Sequence, residues 1–73
     1  MKYPIGQRVR LSETARRRIL ESTKETEHIR VAREDRLGIV IQWISESMRP
    51  TGYLVDFKGV YMALAEEDLV AVE

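Results

Sequence analysis

The sequence predicts a single all-β domain, a small and strongly bent barrel, and two observations support this prediction. The second half of the chain holds three runs rich in β-branched and aromatic residues, at 38–43, 52–59 and 63–72. Glycine and proline separate these runs, and an acidic turn interrupts the last one. Short strands with turn signals between them are typical of very small barrels. We therefore expect one domain over residues 1–73, without internal repeats.

The first strand is predicted over Gly6–Ser12. Val9 and Leu11 fall on one side of this segment, and Arg8 and Arg10 fall on the other. Apolar and polar residues that alternate in this way indicate a half-buried strand.

A helix is predicted to follow, over Glu13–Lys24. Ser12 is a favoured N-cap residue, and an acidic residue in the first turn suits the helix dipole. The apolar stripe of this helix is thin. Residues 23–36 are mostly polar and charged, so we interpret them as a long connection with a short irregular strand at His28–Val31.

The clearest strand signal lies at Leu37–Ser45. Simple alternation places Ile39, Ile41 and Trp43 on one face of this strand. Gly38, near its start, indicates a bulge or a tight bend. The remaining predicted elements are a hairpin loop at Ser45–Gly52, a strand at Tyr53–Phe57, a tight turn at Lys58–Gly59, a strand at Val60–Leu64, a helical turn at Ala65–Asp68 and a strand at Leu69–Val72.

Four of these segments resemble the SH3-like barrels, in particular the KOW and related translation-type members. The resemblance is carried by residues 6–11 as the opening strand, 38–41 as the Gly-x-Val strand, 53–59 as the third strand with its distal hairpin, and 66–72 as the 3₁₀ turn with the last strand. It covers about two thirds of the chain and omits residues 13–36.

The resemblance implies an all-β fold, a five-stranded SH3-like barrel with one inserted helical segment at about residues 13–24. Stand-alone barrels of this kind occur among small bacterial and prophage proteins. Members of the superfamily bind peptides, nucleic acid or larger protein assemblies, and the barrel alone is not expected to catalyse a reaction. Such motifs describe architecture and say little about function.

Composition argues against an enzyme, a metal site and a cofactor. The chain has no cysteine, so it has no thiolate zinc ligand and no cysteine nucleophile. His28 is the single histidine, and consecutive carboxylates at 66–68 point about 100° apart on a helical turn. No glycine-rich phosphate loop is present. We expect a non-catalytic protein that holds neither a metal nor a cofactor.

Charge is balanced overall but unevenly distributed. Residues 1–20 hold six basic residues against one acidic residue, a net charge of +5, and residues 59–73 have a net charge of −4. The two poles can attract each other or remain exposed as surface charges. A net charge of zero argues against a dedicated nucleic-acid binder.

The candidate binding residues are basic or aromatic, and each has a structural alternative. The arginines can contact phosphate or an acidic partner, or they can form a solvated face neutralised by the acidic turn. The aromatic residues can grip a peptide or stack on bases, or they can pack in the core. The candidates are Arg8, Arg10, Arg16, Arg17, Arg18, Trp43 and Tyr61.

From the sequence we expect a soluble, cytoplasmic protein that binds a protein partner and no membrane, because no apolar run approaches the ~20 residues needed to span a bilayer. The predicted function is a binding or adaptor module that acts through protein–protein contact. Two alternatives stay open: weak nucleic-acid binding in the KOW or Tudor style, and a small structural subunit of a phage-type assembly. The sequence leaves the oligomeric state and the partner's identity open.

Overall fold

An antiparallel sheet is the framework of the fold, with strand order β4-β3-β2-β1-β5. The computed structural model describes residues 2–22 and 24–73. In chain order their elements are β1 Arg8–Leu11, α1 Glu13–Ser22, α2 Thr26–Glu34, β2 Gly38–Glu46, β3 Arg49–Phe57, β4 Val60–Leu64, a 3₁₀ turn Glu66–Asp68 and β5 Leu69–Ala71. No helix within these residues is long and apolar enough to cross a membrane.

The predicted all-β, SH3-like barrel is wrong, because the described residues form a mixed fold of an open sheet and two helices. The sheet has edges at β4 and β5, and β5 is only three residues long. Residues of α1 and α2 join those of the strands in one core. The helices thus cover one face of the sheet, which a barrel would bury by closing on itself.

The predicted helix at Glu13–Lys24 is confirmed over Glu13–Ser22. Its N-cap is also confirmed, because the Ala15 N–H donates to Ser12 Oγ at 3.1 Å. The alternation predicted for the first strand holds as well, since Val9 and Leu11 are buried.

The predicted connection at 23–36 is wrong, because most of it is the helix α2; its first residue lies outside the described part of the chain. The helix buries Val31 and Ala32 and half-buries His28, at i, i+3 and i+4 spacing. Asp35 ends it in the left-handed region at φ 49°, where its N–H donates to Ala32 O at 3.4 Å. This short apolar stripe is hard to recognise in the sequence, because the helix also contains many β-branched and charged residues.

The core lies between the helices and the inner face of the sheet, meaning the face that α1 and α2 cover. Tyr53, Val55 and Phe57 share the inner face of the predicted strand, and all three are fully buried. The buried apolar residues are Tyr3, Val9, Leu11, Ala15, Ile19, Val31, Ala32, Val40, Tyr53, Val55, Phe57, Met62, Leu64 and Leu69.

Two tight turns connect the three longest neighbouring strands. The loop predicted at Ser45–Gly52 is wrong, because β2 and β3 continue to a two-residue turn at Ser47 and Met48. Both turn residues have positive φ, 50° and 64°, as hairpins of this length require. Neither is the Asn or Gly that normally announces such a turn. The turn predicted at Lys58–Gly59 is confirmed, with φ of 54° and 98°.

The N-terminal segment is held to the core by the Tyr53 hydroxyl. This oxygen accepts hydrogen bonds from the backbone N–H of Lys2 at 2.9 Å and of Tyr3 at 3.1 Å. It also lies 3.3 Å from a Glu66 carboxylate oxygen, to which it donates. The buried Tyr3 ring packs 5.4 Å from the Tyr53 ring, and its hydroxyl donates to Leu69 O at 3.2 Å.

We predict that Tyr53→Phe lowers the free energy of unfolding by about 1–3 kcal/mol, because it leaves a buried backbone N–H without its acceptor. The matched control is Tyr61→Phe, which removes the same hydroxyl from an exposed side chain and should change stability by less than about 0.5 kcal/mol. Urea unfolding of both variants measures the difference. Equal losses would contradict the role given to the Tyr53 hydroxyl.

Candidate functional site

The outer face of the sheet, opposite the helices, carries a row of side chains across four strands. Arg8 on β1 pairs with Ile39 on β2, which pairs with Asp56 on β3, which pairs with Tyr61 on β4. The chain neighbours of these residues within the strands are buried on the inner face, except for Val60, which is half-buried against the core. Because successive side chains of a strand point to opposite faces, all four project outward. We call them the Arg8–Tyr61 row.

A second row lies beside the first and adds further apolar surface. Leu54 on β3 pairs with Gln42 on β2 and with Ala63 on β4. A bulge between Val40 and Gln42 leaves the intervening Ile41 without a cross-strand partner. We define the outer-face patch by its apolar members, which are Ile39, Ile41, Leu54, Tyr61 and Ala63.

The outer-face patch is well exposed to solvent. Tyr61 is 59% exposed, Ile39 is 45% exposed and Ile41 is 38% exposed. Single exposed apolar residues are ordinary on protein surfaces, but several that adjoin across three strands are typical of a contact surface. The patch is therefore the strongest candidate site on the described surface.

The bulge also corrects the face predicted for Trp43. Alternation placed Trp43 with Ile39 and Ile41, but after the bulge Trp43 pairs with the buried Tyr53. Its ring consequently lies on the inner side, at the margin of the core, where it remains 42% exposed. Its indole N–H donates to Tyr3 O at 2.8 Å. Trp43 thus helps to fix the N-terminal segment and stands apart from Tyr61.

Arg16, Arg17 and Arg18 lie on α1, and all three are engaged within the fold. Arg16 Nε donates to Ala32 O at 2.9 Å, which ties α1 to the last turn of α2. Arg17 lies 3.7 Å from a Glu13 carboxylate oxygen. Arg18 lies 3.2 Å from an Asp68 carboxylate oxygen. The acidic turn therefore neutralises part of the basic run, as one of the two sequence interpretations expects.

Arg8 and Arg10 lie on the outer side of β1, away from that run. Both side chains are exposed, and neither has an ion pair with any residue that the structure describes. Of the seven predicted site residues, the sheet thus brings Arg8, Arg10 and Tyr61 to one face. The arginines of α1 and the Trp43 ring lie elsewhere.

An apolar cavity of about 240 Å³ adjoins the outer-face patch through Ala63. The backbone at Gly52 lies close to β4, since a Cβ there would lie 2.8 Å from Leu64 O, so a side chain at this position would clash. The cavity is lined by Ile44, Thr51, Gly52, Ala63, Leu64 and Ala65. It extends the apolar surface toward the β2–β3 turn.

A larger cavity of about 630 Å³ lies where the end of α2 meets the start of β2 and the β3–β4 turn. It is lined by Arg10, Glu34, Asp35, Arg36, Leu37 and Lys58. Glu34 is paired with Arg36 at 2.6 Å, and Asp35 lies 3.8 Å from Arg16. The cationic groups of Arg10 and Lys58 have no such partner among the described residues, so this cavity has a local positive excess.

The Arg36 guanidinium, by its hydrogen bond, holds the pKa of the Glu34 carboxyl below its ordinary value of 4.5. The same side chain donates to Phe57 O at 3.1 Å and so links the end of α2 to the β3–β4 hairpin. Within residues 2–22 and 24–73, no group of three or more metal-ligating side chains is close enough to hold an ion.

The sequence did not single out the apolar members of the patch other than Tyr61. Ile39 and Ile41 were assigned a shared face, but nothing in the sequence showed whether that face is covered. Their exposure depends on which face the helices occupy, and α2 was not predicted. Leu54 and Ala63 reach the patch through cross-strand pairing, which local periodicity does not reveal.

We predict that Arg16→Ala lowers the free energy of unfolding by about 1–3 kcal/mol, because a charge-assisted hydrogen bond between the helices is lost. Arg17→Ala removes an exposed ion pair on the same helix and should change stability by less than about 0.5 kcal/mol. Chemical unfolding of the two variants tests the difference. A larger loss for Arg17→Ala would refute the structural role assigned to Arg16.

We also predict that Glu34→Gln makes the free energy of unfolding less dependent on pH in the acidic range. Because the native pKa of Glu34 is lowered, its contribution is present above the unfolded value and is lost as the pH falls through the native value. The variant should therefore lose less stability than the parent chain between pH 6 and pH 3. Glu21→Gln, an exposed carboxylate on α1, is the control. Thermal unfolding across this range measures both, and identical pH profiles for the parent and Glu34→Gln would contradict the prediction.

Comparison of the chain with protein-family models, with curated proteins and with solved structures gives no match. The function is therefore inferred from the outer face of the sheet and the charges around it.

Proposed function

We propose that this protein is a non-catalytic, cytoplasmic binding module that acts through protein–protein contact, with the outer-face patch as its contact surface. One observation carries the proposal. Exposed apolar side chains, Ile39 and Ile41 on β2 and Tyr61 on β4, lie on a sheet face that the helices leave uncovered. Apolar surface arranged in this way is typical of a site that a partner covers.

The composition of the face supports a protein partner. Well-packed protein interfaces are enriched in aromatic and aliphatic side chains at their centre and have a polar rim. Here Tyr61 and the two isoleucines supply the apolar area, with Asp56 between Ile39 and Tyr61 and with Arg8 and Gln42 at the border. An open sheet face suits another folded surface better than a small molecule, which usually binds in a concave pocket.

The basic run at Arg16–Arg18 gives less support to the nucleic-acid alternative. All three of its side chains are engaged by groups within the fold, which reduces what they can offer to phosphate. On the outer face and the β3–β4 turn, the exposed cations Arg8, Arg10 and Lys58 are the groups that nucleic acid would use. The third alternative, a structural subunit of an assembly, uses the same apolar face and differs only in the partner.

We predict that a photo-crosslinking side chain at position 61, in the full chain expressed in its native cells, yields adducts with protein. A matched crosslinker at position 17, exposed on α1, should yield few. Ile39→Lys should remove the position-61 adducts, because it places a charge in the centre of the patch while leaving the inner face unchanged. Mass spectrometry of the crosslinked species measures both effects.

The opposite pattern would contradict the proposal. Equal adducts from positions 17 and 61, or none from position 61, would remove the outer face as the contact surface. Adducts that are sensitive to nuclease rather than protease would favour the nucleic-acid alternative. In that case, an amide NMR titration with short nucleic acids tests for phosphate contact. Chemical-shift changes at Arg8 and Arg10 that disappear at moderate salt would identify it.

A further inference from the structure

We propose that the partner on the outer face is a second copy of this chain, in a face-to-face dimer with two-fold symmetry. This inference rests on the proposed function, because it assigns an occupant to the same face. Its basis is the order of charges in the Arg8–Tyr61 row. Ile39 lies at the middle of three adjacent strands, with Arg8 on one side and Asp56 on the other.

This order is self-complementary. A two-fold axis lying in the interface, parallel to β2 and passing over Ile39, sets Ile39 of one copy against Ile39 of the other. The same rotation sets Arg8 of each copy against Asp56 of the other, so two ion pairs form from one kind of contact. An interface of this type, in which one patch meets itself, is the usual arrangement in homodimers.

The two charged groups do not neutralise each other within one chain. They lie on β1 and β3, with β2 between them, and no ion pair joins them in the structure. Neither forms an ion pair with another residue in the described part of the chain. One Asp56 oxygen accepts the Gly59 N–H at 2.7 Å, and the second oxygen is free to accept from a guanidinium. The face therefore presents opposite, unpaired charges at matched distances from its centre.

Beyond the charged residues, apolar side chains of the two copies also face each other. Tyr61 lies two strands to one side of Ile39, on β4. Val72 lies two strands to the other side, where its N–H donates to Arg8 O at 2.8 Å. The same axis therefore sets Tyr61 of one copy against Val72 of the other, so that apolar surface covers apolar surface.

The charges at one corner limit the extent of the contact. Arg10 and Lys58 lie one row further along the strands, where the axis would set Arg10 of each copy against Lys58 of the other. Like charges oppose close contact at this row, so we expect the contact to centre on the rows of Ile39 and Ile41. An interface limited to these two rows is small, so we expect a dissociation constant of micromolar order or weaker.

Sedimentation of the full chain from about 5 µM to about 500 µM tests the proposal, since micromolar affinity gives half-formed dimer within this range. The parent chain should shift with concentration from the 8.5 kDa chain mass toward twice that mass. Arg8→Glu and Asp56→Lys should each stay monomeric, because each homodimer then holds two like-charged pairs. An equimolar mixture should regain the dimer, because both pairs are again opposite in charge.

Two controls keep this result interpretable. Asp56→Asn retains an oxygen for the Gly59 N–H but removes the charge, and should weaken the dimer without abolishing folding. Circular dichroism verifies that each variant is folded, and a misfolded Asp56→Lys leaves the pair Arg8→Glu and Asp56→Asn to decide. A parent chain that is monomeric at all concentrations overturns the inference. So does a dimer that the single variants leave intact, or a mixture that fails to recover it.

The outcomes separate this inference from the proposed function. A monomeric parent chain with Ile39-dependent crosslinks to other proteins at position 61 overturns the dimer and leaves the binding module standing. A monomeric chain without such crosslinks overturns both. Crosslinks between two copies of the chain support both.

Discussion

The two described helices cover only one face of the sheet, and the position of the candidate site follows from this. The helices have ten and nine residues, so each is about 15 Å long. They bury the inner face in a core with residues from both helices and from every described strand. The outer face must then meet either water or a partner. Its apolar residues are the reason to expect a partner, because they gain nothing from exposure to water.

The course of β2 links this constraint to the site. Gly38 lets the strand approach the core closely, since a Cβ there would lie 2.6 Å from Val55 Cγ1. The bulge at Ile41 then changes the alternation of the strand. As a result Ile41 remains exposed beside Ile39, and Trp43 turns inward to bind the backbone of Tyr3. One local irregularity thus secures the N-terminal segment and enlarges the exposed apolar surface.

Local signals in the sequence predicted the strands of the second half, the Ser12 cap and the Lys58–Gly59 turn, because each depends on neighbouring residues. The class of fold was predicted wrongly, because α2 has a short apolar stripe among residues with weak helix propensity. Arg8, Arg10 and Tyr61 were singled out from the sequence, and the sheet brings them to one face. The apolar centre of that face was missed, because exposure on a sheet depends on strand register and on where the helices pack.

Methyl NMR of isoleucine-labelled protein with a soluble paramagnetic agent is the most direct test of the uncovered face. The methyl groups of Ile39 and Ile41 should be relaxed in dilute solution almost as strongly as that of Ile5, which is 62% exposed. Ile19, which lies in the core, should be relaxed far less. If Ile39 and Ile41 in the dilute monomer are as protected as Ile19, the sheet has no uncovered face and the account is wrong.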